Sequence, residues 1–238
     1  MKTTTTEKII FFTIIFTSWC VLSSNREIAN IQEPRECKTA QRQFGDIMIC
    51  LPRTIDFTEC YENIFVRERA DKESKLLKNE IIGVYLNNTL FSKFQKDPQN
   101  TLWPEHIKIY SNPQLKNRNV PVSFFTQIEN KLRTNSEVVP WDNAVKSINE
   151  NNIGFTIEKP ALIEIYQPDK KIKSVLYLAN YMYLAEPRKM LWTANMCIIK
   201  NRLIYFAYYM DFNGSESRKI IKIKSDSFGR ELIRLNNN

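Results

Sequence analysis

The chain has 238 residues, 43% hydrophobic and 25% charged, enough to bury a substantial core without a structural metal or a disulfide scaffold. Its 34 Lys and Arg against 26 Asp and Glu give a net charge of +8, a balance that favours anionic partners. Five glycines argue against phosphate-cradling loops, and a single histidine, His106, argues against most imidazole chemistry.

At the start, Lys2 and Lys8 flank the entry to an apolar block at 9–16 (IIFFTIIF). The apolar run 9–22, interrupted by Thr13, Thr17 and Ser18, is shorter than the roughly 20 residues a spanning helix needs. With Ser23 and Ser24 behind it, it reads as a secretory signal peptide over 1–24. Cys20 opens a second reading, a lipoprotein acylated at that cysteine, although such a site wants a small residue where Trp19 stands. An uncleaved anchor is the third. The expected location is secreted or periplasmic, with membrane contact only through the signal or a lipid at Cys20.

An exported chain retains Cys37, Cys50, Cys60 and Cys197, an even number in an oxidising compartment. Four cysteines allow three pairings. Cys50 and Cys197 sit in apolar runs and read as buried, whereas Cys37 and Cys60 lie in polar segments. A Cys37–Cys60 bridge is therefore favoured, contributing ~3 kcal/mol by loop closure. No spacing matches a zinc site, and no metal is expected.

Residues 25–43 are polar and read as a poorly ordered arm, followed by one α+β domain over 44–238. Short apolar runs at 46–51, 63–66 and 80–86 are each consistent with a strand, and 106–110 alternates like a half-exposed one. Phe124, Ile128 and Leu132 form a helical stripe over 123–134, and Trp141, Val145 and Ile148 a second over 141–150. Long β-rich runs follow at 155–166, 173–184, 189–199 and 202–212, joined by short links that imply an antiparallel meander. Ile221, Phe228, Leu232 and Leu235 share one face of a closing helical segment, which Gly229 and the polar 224–227 stretch could divide. The expected class is α+β: an antiparallel meander with packed helices.

A two-residue loop at Lys200-Asn201 pairs Ile199 with Arg202 and sets Ala194 opposite Ala207. A four-residue loop at 185–188 would add Ala179 to that row, with Tyr181, Trp192 and Tyr209 on one side and Tyr177, Met196 and Tyr205 on the other. Such a row lies beneath a close helix or floors an aromatic-walled groove. On the opposite face the same register gathers Asn180, Thr193, Asn195 and Tyr208 in mid-sheet. These hydrogen-bonding groups need water or partners, so they read as a solvent patch, an internal network, or a recognition site for a polar ligand or protein loop.

No catalytic site is nominated. A Cys–His nucleophile would need His106 beside Cys50, Cys60 or Cys197, each better read as core or disulfide. Carboxylate pairs such as Glu59/Glu62 and Glu158/Glu164 do not stand out from surface charge, and the asparagine sequons at Asn87 and Asn213 are treated as chance. The positive charge concentrates late. Residues 168–238 hold 13 basic and 6 acidic side chains, while 25–167 is neutral. Arg218, Lys219 and Lys222 cluster away from the apolar stripe of the closing helix, as a solvated face or a dock for an acidic protein or an anionic envelope surface. Nucleic acid fits an exported chain poorly.

The order of strand-rich start, central helices, antiparallel meander and closing helix resembles the α/β/α sandwich of the PsbP-like superfamily, which also includes the exported DcrB-like bacterial proteins. The likeness is closest over 161–236, with the turn into strand at Asn201-Arg202-Leu203-Ile204-Tyr205, while 85–122 fits poorly. It implies a non-enzymatic accessory or binding role in an exported compartment and contributes no transferable site residue; separately, no cofactor is expected. The expected function is an exported binding or accessory module of the cell envelope. The alternative is a secreted enzyme with a histidine-poor site.

Overall fold

A computed structural model describes residue 37 and residues 39–98, 101–134, 141–151 and 155–236. The expected signal peptide, Cys20 and most of the polar arm lie outside the described residues. The elements are β1 (Gln41–Phe44), β2 (Ile47–Cys50), β3 (Phe57–Glu59), α1 (Ile64–Leu76), β4 (Glu80–Asn87), α2 (Asn88–Phe94) and β5 (His106–Ser111). After a 3-10 turn at Pro113–Leu115 come α3 (Phe124–Thr134), α4 (Trp141–Asn151), β6 (Phe155–Ile157), β7 (Ala161–Asp169), β8 (Ile172–Tyr183), β9 (Glu186–Ile199), β10 (Arg202–Asp211) and α5 (Glu216–Asn236). The class is α+β with antiparallel sheets. A β1-β2 hairpin accompanies an eight-stranded sheet ordered β3-β4-β5-β10-β9-β8-β6, with β7 also pairing β8.

Helices cover both faces of this sheet. On one side α5 and the β1-β2 hairpin close the largest core, in which Ile221, Phe228 and Leu232 meet Leu176, Phe206 and Tyr208. On the other side α1 and α2 cover β4, while α3 and α4 cover the meander. Val66 and Ala70 supply the buried face of α1, and Phe125 and Ile128 that of α3.

Several expected elements change form. The apolar 63–66 run is the start of α1 rather than a strand: the Asn63 side-chain oxygen accepts the amides of Phe65 and Val66, a capping arrangement that launches a helix. The expected strand at 155–166 is two strands, broken before Ala161 at Pro160, which has no amide to give a ladder. They share the outer edge of β8, β6 at Tyr181–Tyr183 and β7 nearer the other end. Residues 41–43, placed in the arm by their polarity, form β1 and turn into β2 through Gly45 at φ 61°. A Cβ on Gly45 would lie 2.4 Å from Asn117 Oδ1, so the position needs glycine for space as well as dihedral.

The β9-β10 hairpin has the expected register, with Ile199 opposite Arg202 and Ala194 opposite Ala207. The β8-β9 hairpin does not. Its loop is the two residues Leu184 and Ala185, at φ 49° and 67°, so Tyr183 pairs with Glu186 and the ladder slides by four residues. Ala179 therefore faces Met190, and the three-alanine row does not form. An even slide keeps every side chain on its face. The aromatic row becomes Tyr177, Trp192 and Tyr209, extended on β5 by His106.

The disulfide joins Cys37 to Cys50, not to Cys60. Cys60 is a buried free thiol that donates to the Val84 carbonyl, because the start of α1 draws it under the helix. The Cys37–Cys50 bridge is compatible with an oxidising, exported setting. Among the described residues no helix is long and apolar enough to cross a membrane.

Candidate functional site

The four polar residues expected to form a mid-sheet patch are separated. Thr193 and Asn195 point at α5 and are fully enclosed. The Thr193 and Ser225 hydroxyls lie 2.7 Å apart, and the Asn195 amide donates to the Ser225 hydroxyl and the Phe206 carbonyl. Ser174 donates in turn to Asn195 Oδ1 at 2.6 Å. This is an internal network, each member satisfied, that fixes the helix over the sheet. Tyr208 is also buried, its hydroxyl donating to Glu105 at 2.7 Å. The four-residue slide moves Asn180 away from Thr193 and sets it opposite Lys189, where it is exposed.

The basic trio divides as well. Arg218 and Lys219 are exposed on α5, but Lys222 is half-buried, bonded to Glu164 at 2.7 Å with its ammonium 4.4 Å from the centre of the Tyr166 ring. His106 is engaged elsewhere than with a cysteine: its Nδ1–H donates to the Trp103 carbonyl at 2.8 Å, and its ring stacks on Tyr209. Burial pushes the Cys60 thiol up to about 12 and raises the Cys197 thiol further, so neither is a ready nucleophile. Among the described residues no group of three His, Cys, Asp or Glu side chains converges to hold a metal.

One cleft collects functional groups. It opens at the hairpin end of the sheet, where β6, the ends of β8 and β10, and the start of β9 meet α4, and it encloses about 710 Å³. β9 projects here beyond β10, which ends opposite Met190, and Pro187 falls in that unpaired stretch where a missing amide costs no ladder bond. Asn149 of α4 fixes one wall by gripping both the amide and the carbonyl of Ile157. Asn180 donates to Glu158 at 2.6 Å across the floor.

From the other face of the same strands Tyr181 donates to Asp211 at 2.9 Å, and Arg188 lies 3.5 Å from the same carboxylate and 3.1 Å from Glu186. Burial, then the Asp211 charge, pushes the Tyr181 hydroxyl above its ordinary range, so it remains a neutral donor. The hydrogen bond to Glu186 raises the Arg188 guanidinium, which stays cationic. Lys189 adds an exposed ammonium with no ion pair among the described residues. The residues lining the cleft thus place Asn180, Glu158 and Lys189 on one face of the strand ends and Tyr181, Arg188 and Asp211 on the other, donors and a carboxylate on each side, a mixture suited to a polar or zwitterionic small molecule.

Sequence reasoning reached Asn180 and missed its neighbours. In sequence Glu158 is one of many surface carboxylates, and the four-residue loop at 185–188 takes in Arg188. Asp211 ends a strand and carries no motif. Compared with known proteins, the chain matches no family model, and no curated protein matches it.

Proposed function

We propose that this chain is an exported, non-enzymatic binding module that holds a small polar ligand in the cleft between Asn180, Glu158, Arg188 and Asp211. The observation that carries the reading is the open cleft, whose donors and acceptors are already positioned by the sheet. The Cys37–Cys50 bridge supports the export half of the proposal, as does the apolar leader read from residues 9–22. Helices on both faces of an antiparallel sheet and the single closing helix support a likeness to the PsbP-like sandwich, and with it an accessory role in the cell envelope.

Saturation-transfer NMR on the full chain with monosaccharides, free amino acids and short peptides tests the reading. At least one class should receive transfer from the protein. That transfer should drop at least fivefold in Asn180→Ala and Arg188→Ala while the dispersed methyl resonances stay in place. Turnover of any panel member would support the secreted-enzyme alternative, and transfer unchanged in both variants would remove the cleft as the site.

A further inference from the structure

We infer that the outer ridge of α5 docks on an anionic lipid bilayer. The helix buries Ile221, Ser225, Phe228 and Leu232 against the sheet, which turns Lys219, Ile223 and Arg230 outward. Ile220 flanks them. Single exposed aliphatic residues are ordinary, but Ile220 and Ile223 stand one turn apart, 41% and 58% exposed, in a segment where cations surround them.

The cations fall into two groups. Lys222, Lys224 and Arg234 are held by Glu164, Glu105 and Glu231. Arg218, Lys219 and Arg230 make no ion pair among the described residues; Glu216 is the exposed acid of the first turn, and Asp226, half-buried and bonded by the Tyr166 hydroxyl, lies near enough to Arg230 to feel its charge. A ridge with free cations beside two aliphatic side chains matches the headgroup layer of a bilayer, where ammonium and guanidinium groups meet phosphates while short apolar side chains reach the acyl boundary. An acidic protein fits less well. Tight protein interfaces are anchored by aromatic residues seated in pockets, and this ridge has no aromatic side chain on its outer face.

Co-sedimentation of the full chain with sucrose-loaded vesicles tests the inference. The apolar 9–22 segment can bind any bilayer, so the readout is the ratio of partition into phosphatidylglycerol/phosphatidylcholine vesicles over phosphatidylcholine alone. That ratio should be about 10 or more at low salt and fall toward one at high salt. Arg218→Gln/Lys219→Gln/Arg230→Gln should bring it near one, and Ile220→Ser/Ile223→Ser should lower binding to the anionic vesicles about fivefold or more. Lys72→Gln/Lys75→Gln, exposed on α1, should leave the ratio intact. Thermal melts confirm that the exposed substitutions leave the fold unchanged. A ratio of one in the parent, or an equal fall in the α1 variant, overturns the inference. Competition by polyglutamate at equal charge concentration would replace the lipid with an acidic polypeptide.

Discussion

His106 lies flat against Tyr209, with ring centroids 4.4 Å apart, and shares its surroundings with Lys108, Arg69 and Trp103. Burial first, and then the Lys108 charge, holds its imidazole well below the ordinary value, with the bond to the Trp103 carbonyl acting weakly the other way. The depressed value fixes the sign of the pH effect. Below about pH 6.5 the unfolded chain takes up a proton that the folded chain refuses, so this residue's stability is complete above that pH and lost as pH falls. The loss approaches about 1.4 kcal/mol per pH unit. Glu73 and Glu129, whose carboxyls are lowered beside Lys108 and Lys173, contribute only in the carboxylate range below. Urea midpoints measured between pH 7 and pH 5 should therefore fall more steeply in the parent than in His106→Gln, in which the raised Glu59 and Asp226 carboxyls act in the opposite sense. Equal slopes in the two proteins would refute this account.

At the scale of elements, α5 shows how closely helix and sheet are matched. Gly229 sits where the helix crosses Phe206 and Ile172; an added Cβ would come within 2.9 Å of the Phe206 ring and 3.0 Å of Ile172 Cδ1. Glycine inside a helix ordinarily costs about 1 kcal/mol against alanine. Here the close approach reverses the preference, and Gly229→Ala should destabilise by ~1–3 kcal/mol through overpacking. A urea midpoint that rises would show that the helix lifts away freely.

The same glycine explains one misreading. In sequence it looks like a break, and only the floor beneath it shows why the helix runs through. The β8-β9 loop explains another. Leu184 and Ala185 adopt positive φ, a conformation costing roughly 1–2 kcal/mol per non-glycine residue, so nothing in their side chains announces a tight turn. The faces of β8, β9 and β10 were legible from alternation alone, because a slide of four residues preserves parity. The partners across the strands were not, and the binding cluster read from them dissolved. Asn63 illustrates a third limit: its capping role competes with the β-rich look of the residues after it.

At the scale of the whole molecule, Cys37 and the end of α5 are both tied to one strand, β2. Cys37 is bonded to Cys50, and Asn236, at the end of α5, both accepts the Cys50 amide and donates to the Cys50 carbonyl at 2.8 Å. Loop closure by the bridge stabilises the fold by ~3 kcal/mol. Cys37→Ser should lower the urea midpoint accordingly, and reductant should lower the parent to the same point while leaving the variant unmoved. A parent insensitive to reductant would show that the bridge adds nothing to stability. The pairing was hidden in the sequence because Cys50 looked like core. It is buried, and the bridge reaches it from Cys37, ahead of β1.

The strand order has its own consequence. β10 is the last strand made, yet it lies in the middle of the sheet, between β5 and β9. Until it emerges, β3-β4-β5 and the meander that includes β9 are two fragments, each with an open edge and no α5 to cover the core face. Completion needs contacts between residues far apart in the chain, which slows folding. A chain of this design closes its sheet only when Arg202–Asp211 can bond to both neighbours at once.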